Sequence, residues 1–109
     1  MAVTYFVRMV AKPGEADRVL ELLLTNPRRI RAGEPGNIVF AVHRSRVDSN
    51  EFWLYETWES EDAANVHESG EAFREYRRTI RPLVDPDSVV FGNTEPVDVL
   101  GYELDGRGG

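Results

Sequence analysis

The chain has 109 residues, no cysteine, and 13 Lys and Arg against 19 Asp and Glu, a net charge of -6. That length bounds one domain, able to hide roughly two thirds of its unfolded surface, and the missing cysteines exclude disulfides, thiolate nucleophiles and cysteine metal sites. The charge opposes nucleic acid and anionic lipid, with Arg28, Arg29 and Arg31 the one local exception; the first ten residues lack signal-peptide character, and no run nears the ~20 apolar residues of a membrane span, so a soluble, cytoplasmic protein with no nucleic-acid or membrane partner is expected.

Val3 to Ala11 reads as a strand with apolar residues on both faces, ended by the turn chemistry of Pro13-Gly14. Glu15 and Asp17 open a helix whose Ala16, Val19, Leu20, Leu23 and Leu24 form one buried stripe. Asn26-Pro27 is a stop and restart signal, predicting a second short turn through Ile30 that Glu34-Pro35-Gly36 ends. Asn37 to Ser45 is a second strand, and a polar connection at 47 to 50 leads to a third at 52 to 58, a hairpin expected at the centre of the sheet. In the third strand Phe52, Leu54, Glu56 and Trp58 face one way, and Trp53, Tyr55 and Thr57 the other. The hydrophobic period then changes. Ser60 stands as N-cap, Glu61 and Asp62 complement the helix dipole, and a short helix runs to His67. Ser69-Gly70 breaks it, Phe73, Tyr76, Arg77 and Ile80 share a face of a further helix, and Pro82 ends that one. Asp85-Pro86-Asp87 turns the chain into a fourth strand from Ser88 to about Thr94. The order is that of an α+β fold, the ferredoxin-like split βαβ pattern (βαββαβ) with an antiparallel sheet, over residues 1–96. Residues 97–109 form an extension, strand-like from Val97 to Leu104 and then a glycine-rich end, Gly106 to Gly109, expected to be disordered.

The run Glu56-Thr57-Trp58-Glu59-Ser60 leading to His67, with Lys12-Pro13-Gly14 after the first strand and Glu34-Pro35-Gly36 before the second, resembles the antibiotic biosynthesis monooxygenase family of dimeric ferredoxin-like α/β barrels. The resemblance covers about residues 3 to 95. In it, His67 matches the family's helix histidine, while Ala72 stands where a second histidine is often found. Anthrone-oxidising members imply a histidine at His43, a tryptophan at Trp58 and an arginine near Arg77 or Arg78; their two tyrosines and asparagine fall on Val42, Ala64 and Leu54. The residues that hold porphyrin in haem-degrading relatives fall on Arg77, Val7 and His67, so haem is not expected.

The residues themselves offer chemistry with alternatives. His67, with an unperturbed pKa near 6.5, suits proton abstraction, predicting a turnover limb between about 6 and 8; equally, it packs beside the Ser69-Gly70 break. Glu56 and Trp58 put a carboxylate and an indole N–H on one strand face, with Arg8, Arg44 or Arg77 as cationic partner, or else form a structural ion pair beside a core tryptophan. Only His67 and Glu71 offer helical metal-ligand spacing, and no phosphate loop, nicotinamide or flavin fingerprint occurs, so no cofactor and no metal is expected. The expected function is a cofactor-independent monooxygenase that oxidises an electron-rich phenolic, anthrone or quinol-like small molecule with dioxygen. His67 and Trp58 would be catalytic, with Arg8, Phe40, His43, Leu54, Glu56, Phe73 and Arg77 binding substrate. The alternative is a non-catalytic barrel that binds a small aromatic metabolite or acts as a stress-associated interaction protein.

Helices cover only one face of such a sheet, yet Phe6, Val10, Val39, Ala41, Trp53 and Tyr55 give its other face an apolar character too. A homodimer with sheets face to face is therefore expected, with residues 97 to 104 either reaching across to the partner or packing along their own edge.

Overall fold

Alternation along the strands sorts side chains to two faces of one sheet, and helices cover only one of them. The computed structural model describes residues 1–104; the glycine-rich end lies outside the described residues. The order is β1 (Val3–Val10), α1 (Ala16–Arg31), β2 (Asn37–Arg44), β3 (Glu51–Trp58), α2 (Glu61–Ser69), α3 (Glu71–Ile80) and β4 (Val90–Thr94), with single 3-10 turns at Arg81–Leu83 and Pro86–Ser88. The sheet is antiparallel in the order β2-β3-β1-β4. This is the ferredoxin-like arrangement, but the β2-β3 hairpin sits at one side rather than the centre. β1 takes the inner place because it pairs with both β3 and β4, while the helical crossovers join β1 to β2 and β3 to β4.

On the helix side, Met9, Val19, Leu22, Leu23, Phe52, Leu54, Ile80 and Val84 form the main core, and Tyr5, Trp58 and Ala64 a second cluster. Helix α1 runs unbroken through Pro27, where a stop was expected. Proline inside a helix costs about 3 kcal/mol, but Pro27 and Asn26 both lie on the buried stripe with Val19, Leu22 and Leu23, and that burial outweighs the lost bond. Asn26 accepts from the Arg29 guanidinium at 2.8 Å instead of capping a new helix. Ser60 caps α2 as expected, its hydroxyl accepting from the Ala63 N–H at 3.1 Å, and Gly70 separates α2 from α3. The fourth strand begins at Val90, two residues later than expected, because Pro86–Ser88 continues the turn and the Ser88 hydroxyl is engaged by the Val10 N–H.

The other face carries Phe6 and Trp53, each half exposed, with Tyr55 between them in register. Residues 95–104 add no strand. Pro96 has no N–H to donate, and Gly101 takes a left-handed φ of 124°, so the segment turns back over its own open face. There the Tyr102 hydroxyl lies 3.4 Å from Thr57 Oγ1, which is itself bonded to Thr4 Oγ1 at 2.7 Å. Among the described residues, no helix is long and apolar enough to cross a membrane.

Candidate active site

The site grows from the strand-to-helix junction at the end of β3. Glu56 and Trp58 point to the helix side, two residues apart, and the Trp58 Nε1–H donates to Glu56 Oε1 at 3.0 Å. Both are buried. Burial pushes the Glu56 carboxyl up to about 7; the indole hydrogen bond opposes the shift, and the nearby Glu68 carboxylate adds to it. Behind this pair, α2 delivers His67 with its ring centre 4.7 Å from Trp58, 5.0 Å from Phe73 and 6.3 Å from Phe40. The imidazole is enclosed: Nδ1 meets Glu34, and among the described residues Nε2 has no hydrogen-bond partner. Because an ionised carboxylate only accepts, Nδ1 carries the proton and the orphan Nε2 presents a lone pair. Burial, helped by the Arg29 charge, lowers the His67 pKa to about 4, so the ring is neutral at pH 7.

Glu34 reaches His67 because of Gly36. Its φ of 86° suits glycine, and a Cβ there would stand 2.6 Å from Ala63 Cβ, so only glycine lets the turn before β2 press against α2. Gly36→Ala should cost about 1–3 kcal/mol relative to wild type, read by chemical denaturation at neutral pH.

Two hollows compete as the working cavity. The larger, of about 470 Å³, lies beneath the tail on the open face, and its carboxylates, Glu95 and Asp98, are both exposed. The other, of about 370 Å³, lies on the helix side and is lined by Val7, Glu56, Glu68, Phe73, Arg77, Val89 and Phe91. Only the second joins a buried carboxyl of raised pKa to an arginine, and its volume falls in the ~300–1,000 Å³ range of small-molecule sites. Glu56 is its floor, and the exposed Arg77, Val89 and Phe91 are its rim. The Glu68 carboxyl at its edge is raised as well, by desolvation, against the pull of Arg77.

A family model described as antibiotic biosynthesis monooxygenase matches residues 2–79. The chain belongs to the antibiotic biosynthesis monooxygenase family. Solved structures agree on the fold. Rv0793 from Mycobacterium tuberculosis is 22% identical with a TM-score of 0.81, covering 93% of this chain and 100% of that one. PA3566 from Pseudomonas aeruginosa is 24% identical with a TM-score of 0.78, covering 89% and 95%. A candidate antibiotic biosynthesis monooxygenase from Nitrosomonas europaea is 22% identical with a TM-score of 0.79, covering 92% and 94%. No curated protein matches the chain by sequence.

Within this family member the expected site residues separate into three groups. Glu56, Phe73 and Arg77 do meet at one cavity. His67, Trp58, Phe40 and Leu54 lie behind it: Trp58 touches it only through Glu56, Leu54 belongs to the main core, and Phe40 packs against both core clusters. Arg8 and His43 are on the opposite face of the sheet. Arg8 shares the parity of Phe6, lies over Trp53 and donates to Glu51 at 2.8 Å, holding that carboxyl below its usual range. His43 stacks on Tyr55, 5.9 Å between ring centres, on the same open side. Alternation along β1 and β2 dictates both placements, so neither residue can reach a molecule bound beside Glu56. Glu34 and Glu68 were not singled out from the sequence. Glu34 lies 33 positions from His67, and only the Glu-Pro-Gly turn marked it as unusual. Among the described residues, no three His, Asp or Glu side chains come together as a metal site.

Proposed function

We propose that the chain is a cofactor-independent monooxygenase acting on an electron-rich phenol, quinol or anthrone, and that Glu56 is the group that takes the proton. The observation that carries this is the Glu56 carboxyl itself: buried at the floor of a small-molecule-sized cavity, with a pKa near 7 and Arg77 at the rim. A carboxyl of that pKa accepts a proton at neutral pH and returns it in the next step. Family membership supports the reaction class, and the aromatic lining supplied by Phe73 and Phe91 supports the substrate class.

For an anthrone the steps balance as follows. The methylene flanked by two rings loses a proton to Glu56, and Arg77 stabilises the anion. One electron passes from the anion to dioxygen; the two radicals combine with formation of a C–O bond, and the terminal oxygen takes back the proton as a hydroperoxide. Loss of water then leaves the carbonyl, so one oxygen atom enters the product and the other leaves as water. His67 acts through Trp58: its neutral ring fills the space behind the indole and fixes the N–H that holds Glu56 Oε1. The reacting unit is a homodimer with the open sheet faces together, which the half-exposed Phe6 and Trp53 support.

Oxygen uptake with a panel of anthrones and quinols tests the reading. Wild type should consume oxygen with at least one of them, and Glu56→Gln should lose about 10²–10⁴-fold in rate. Equal rates in the two proteins would remove Glu56 from the mechanism. A ligand bound with no oxygen uptake would favour the non-catalytic barrel, which Val42, Ala64 and Leu54, standing where anthrone oxidisers have polar groups, also support.

A further inference from the structure

Helix α3 and its C-cap carry Arg74, Arg77, Arg78 and Arg81, spaced i, i+3, i+4 and i+7 along one face of a chain whose net charge is -6. Together with Pro82 they line a groove of about 330 Å³. Arg78 pairs with Glu75, and Arg74 donates to the Ser69 carbonyl at 2.9 Å. Among the described residues, no carboxylate pairs with Arg77 or Arg81. Cations near a helix C-terminus complement its dipole, which accounts for one or two of them. It does not account for four on one face, where like charges three and four apart destabilise the helix. An anion in the groove would relieve that repulsion.

Arg77 ties the groove to the chemistry, because it lines both the arginine groove and the Glu56 cavity. A third hollow, of about 290 Å³ between Met9, Ile80, Val84, Pro86 and Val89, also contains Arg77 and Arg81 and runs alongside. A molecule whose ring lies over Glu56 therefore meets at the rim an arginine that also lines the groove of Arg74 and Arg81. Anionic groups cannot sit deeper, where Glu56 and Glu68 would repel them.

We infer that the substrate is an acidic aromatic compound, its phenolic ring held at Glu56 and an anionic substituent, carboxylate or phosphate, held on the arginine face of α3. The inference rests on the proposed use of the Glu56 cavity and adds the second recognition element. Guanidinium forks bind either oxyanion in two-point fashion, so the groove recognises the charge and planar or tetrahedral oxygens, not one particular acid.

Direct binding to the full chain under anaerobic conditions tests it, with a hydroxynaphthoate, its methyl ester and the matching hydroxynaphthyl phosphate as probes in titration calorimetry. The acid or the phosphate should bind about ten-fold more tightly than the ester, with the preference shrinking as salt rises. Whichever anion wins names the substituent. Arg74→Gln/Arg81→Gln, at two exposed positions that spare Arg77, should remove the preference while leaving ester affinity unchanged and the thermal midpoint no lower than in wild type. Equal binding of acid, phosphate and ester overturns the anion site and leaves the ring cavity standing. A preference that survives the double substitution overturns it too. Tight, arginine-dependent binding of the acid with no oxygen uptake in air sinks the oxygenase reading while supporting this one.

Discussion

Turnover should rise with pH through an apparent pKa near 7, and the limb should disappear in Glu56→Gln but persist in His67→Gln. Histidine at 6.5 invites the opposite expectation, that a limb between about 6 and 8 reports His67. The enclosure of the ring changes this: with its pKa lowered to about 4, His67 is neutral throughout that range and does not titrate in it. Glu56, raised to about 7 chiefly by burial, does titrate there. The same shift makes a stability prediction of opposite sign to the activity. A carboxyl whose folded pKa lies above its unfolded value binds more protons when folded, so stability is greatest below about 4.5 and falls as pH rises towards 7. The cost at pH 8 is on the order of 3 kcal/mol. Glu56→Gln removes it. The variant should be nearly inactive yet more resistant to denaturant at pH 8 than wild type, and about equal at pH 4. A structural Glu56 would behave differently, losing stability on substitution at every pH, and that result would return the proton to another group.

How far the sequence carried the site depends on the range of the interaction involved. The change of period between Trp58 and Ser60 is a local signal, and it placed β3, the cap and α2 within a residue or two. Glu56 and Trp58 on one face followed from alternation alone, and their hydrogen bond lies within that local frame. Alternation also put Arg8 with Phe6 and His43 with Ala41. Both therefore lie across the sheet from Glu56, for which Arg8 had been one of three possible cationic partners. What no local pattern could give is which distant group meets His67. Glu34 arrives through a turn whose closeness to α2 rests on Gly36, and a pKa near 4 in place of 6.5 comes from how completely the ring is enclosed. Pro27 shows the same limit in reverse: a local stop signal lost to tertiary burial.

Trp53→Asp should convert the protein in solution from a dimer to a monomer, or to aggregates if the pairing is needed early. The open sheet face presents Phe6 and Trp53 at 50% exposure each, with Val90 at 58% beside them and Tyr55, Val39 and Ala41 along the neighbouring strands. These rings are held in place, Phe6 against Tyr55 at 6.1 Å and Trp53 beneath Arg8, so the face is preorganised rather than loose. At ~25 cal/mol per Å², two such faces gain substantially by meeting, and because each is the other's copy the contact must be two-fold. An aspartate at position 53 would bury a charge at the centre of the contact beside an Arg8 already held by Glu51, and taking that charge out of water costs several kcal/mol. The tail refines the test. It covers only the Thr4, Phe6 and Tyr55 part of the face and turns Val97 and Leu100 outward, where both are almost fully exposed. Ending the chain after Pro96 should therefore weaken the dimer without abolishing it, since it removes apolar surface at the margin and leaves Trp53 in place. Light scattering at micromolar concentration reads all three proteins. A compact wild-type monomer of 12.4 kDa would refute the face-to-face pair. It would leave the Glu56 cavity intact, because that cavity is built on the opposite side of the sheet.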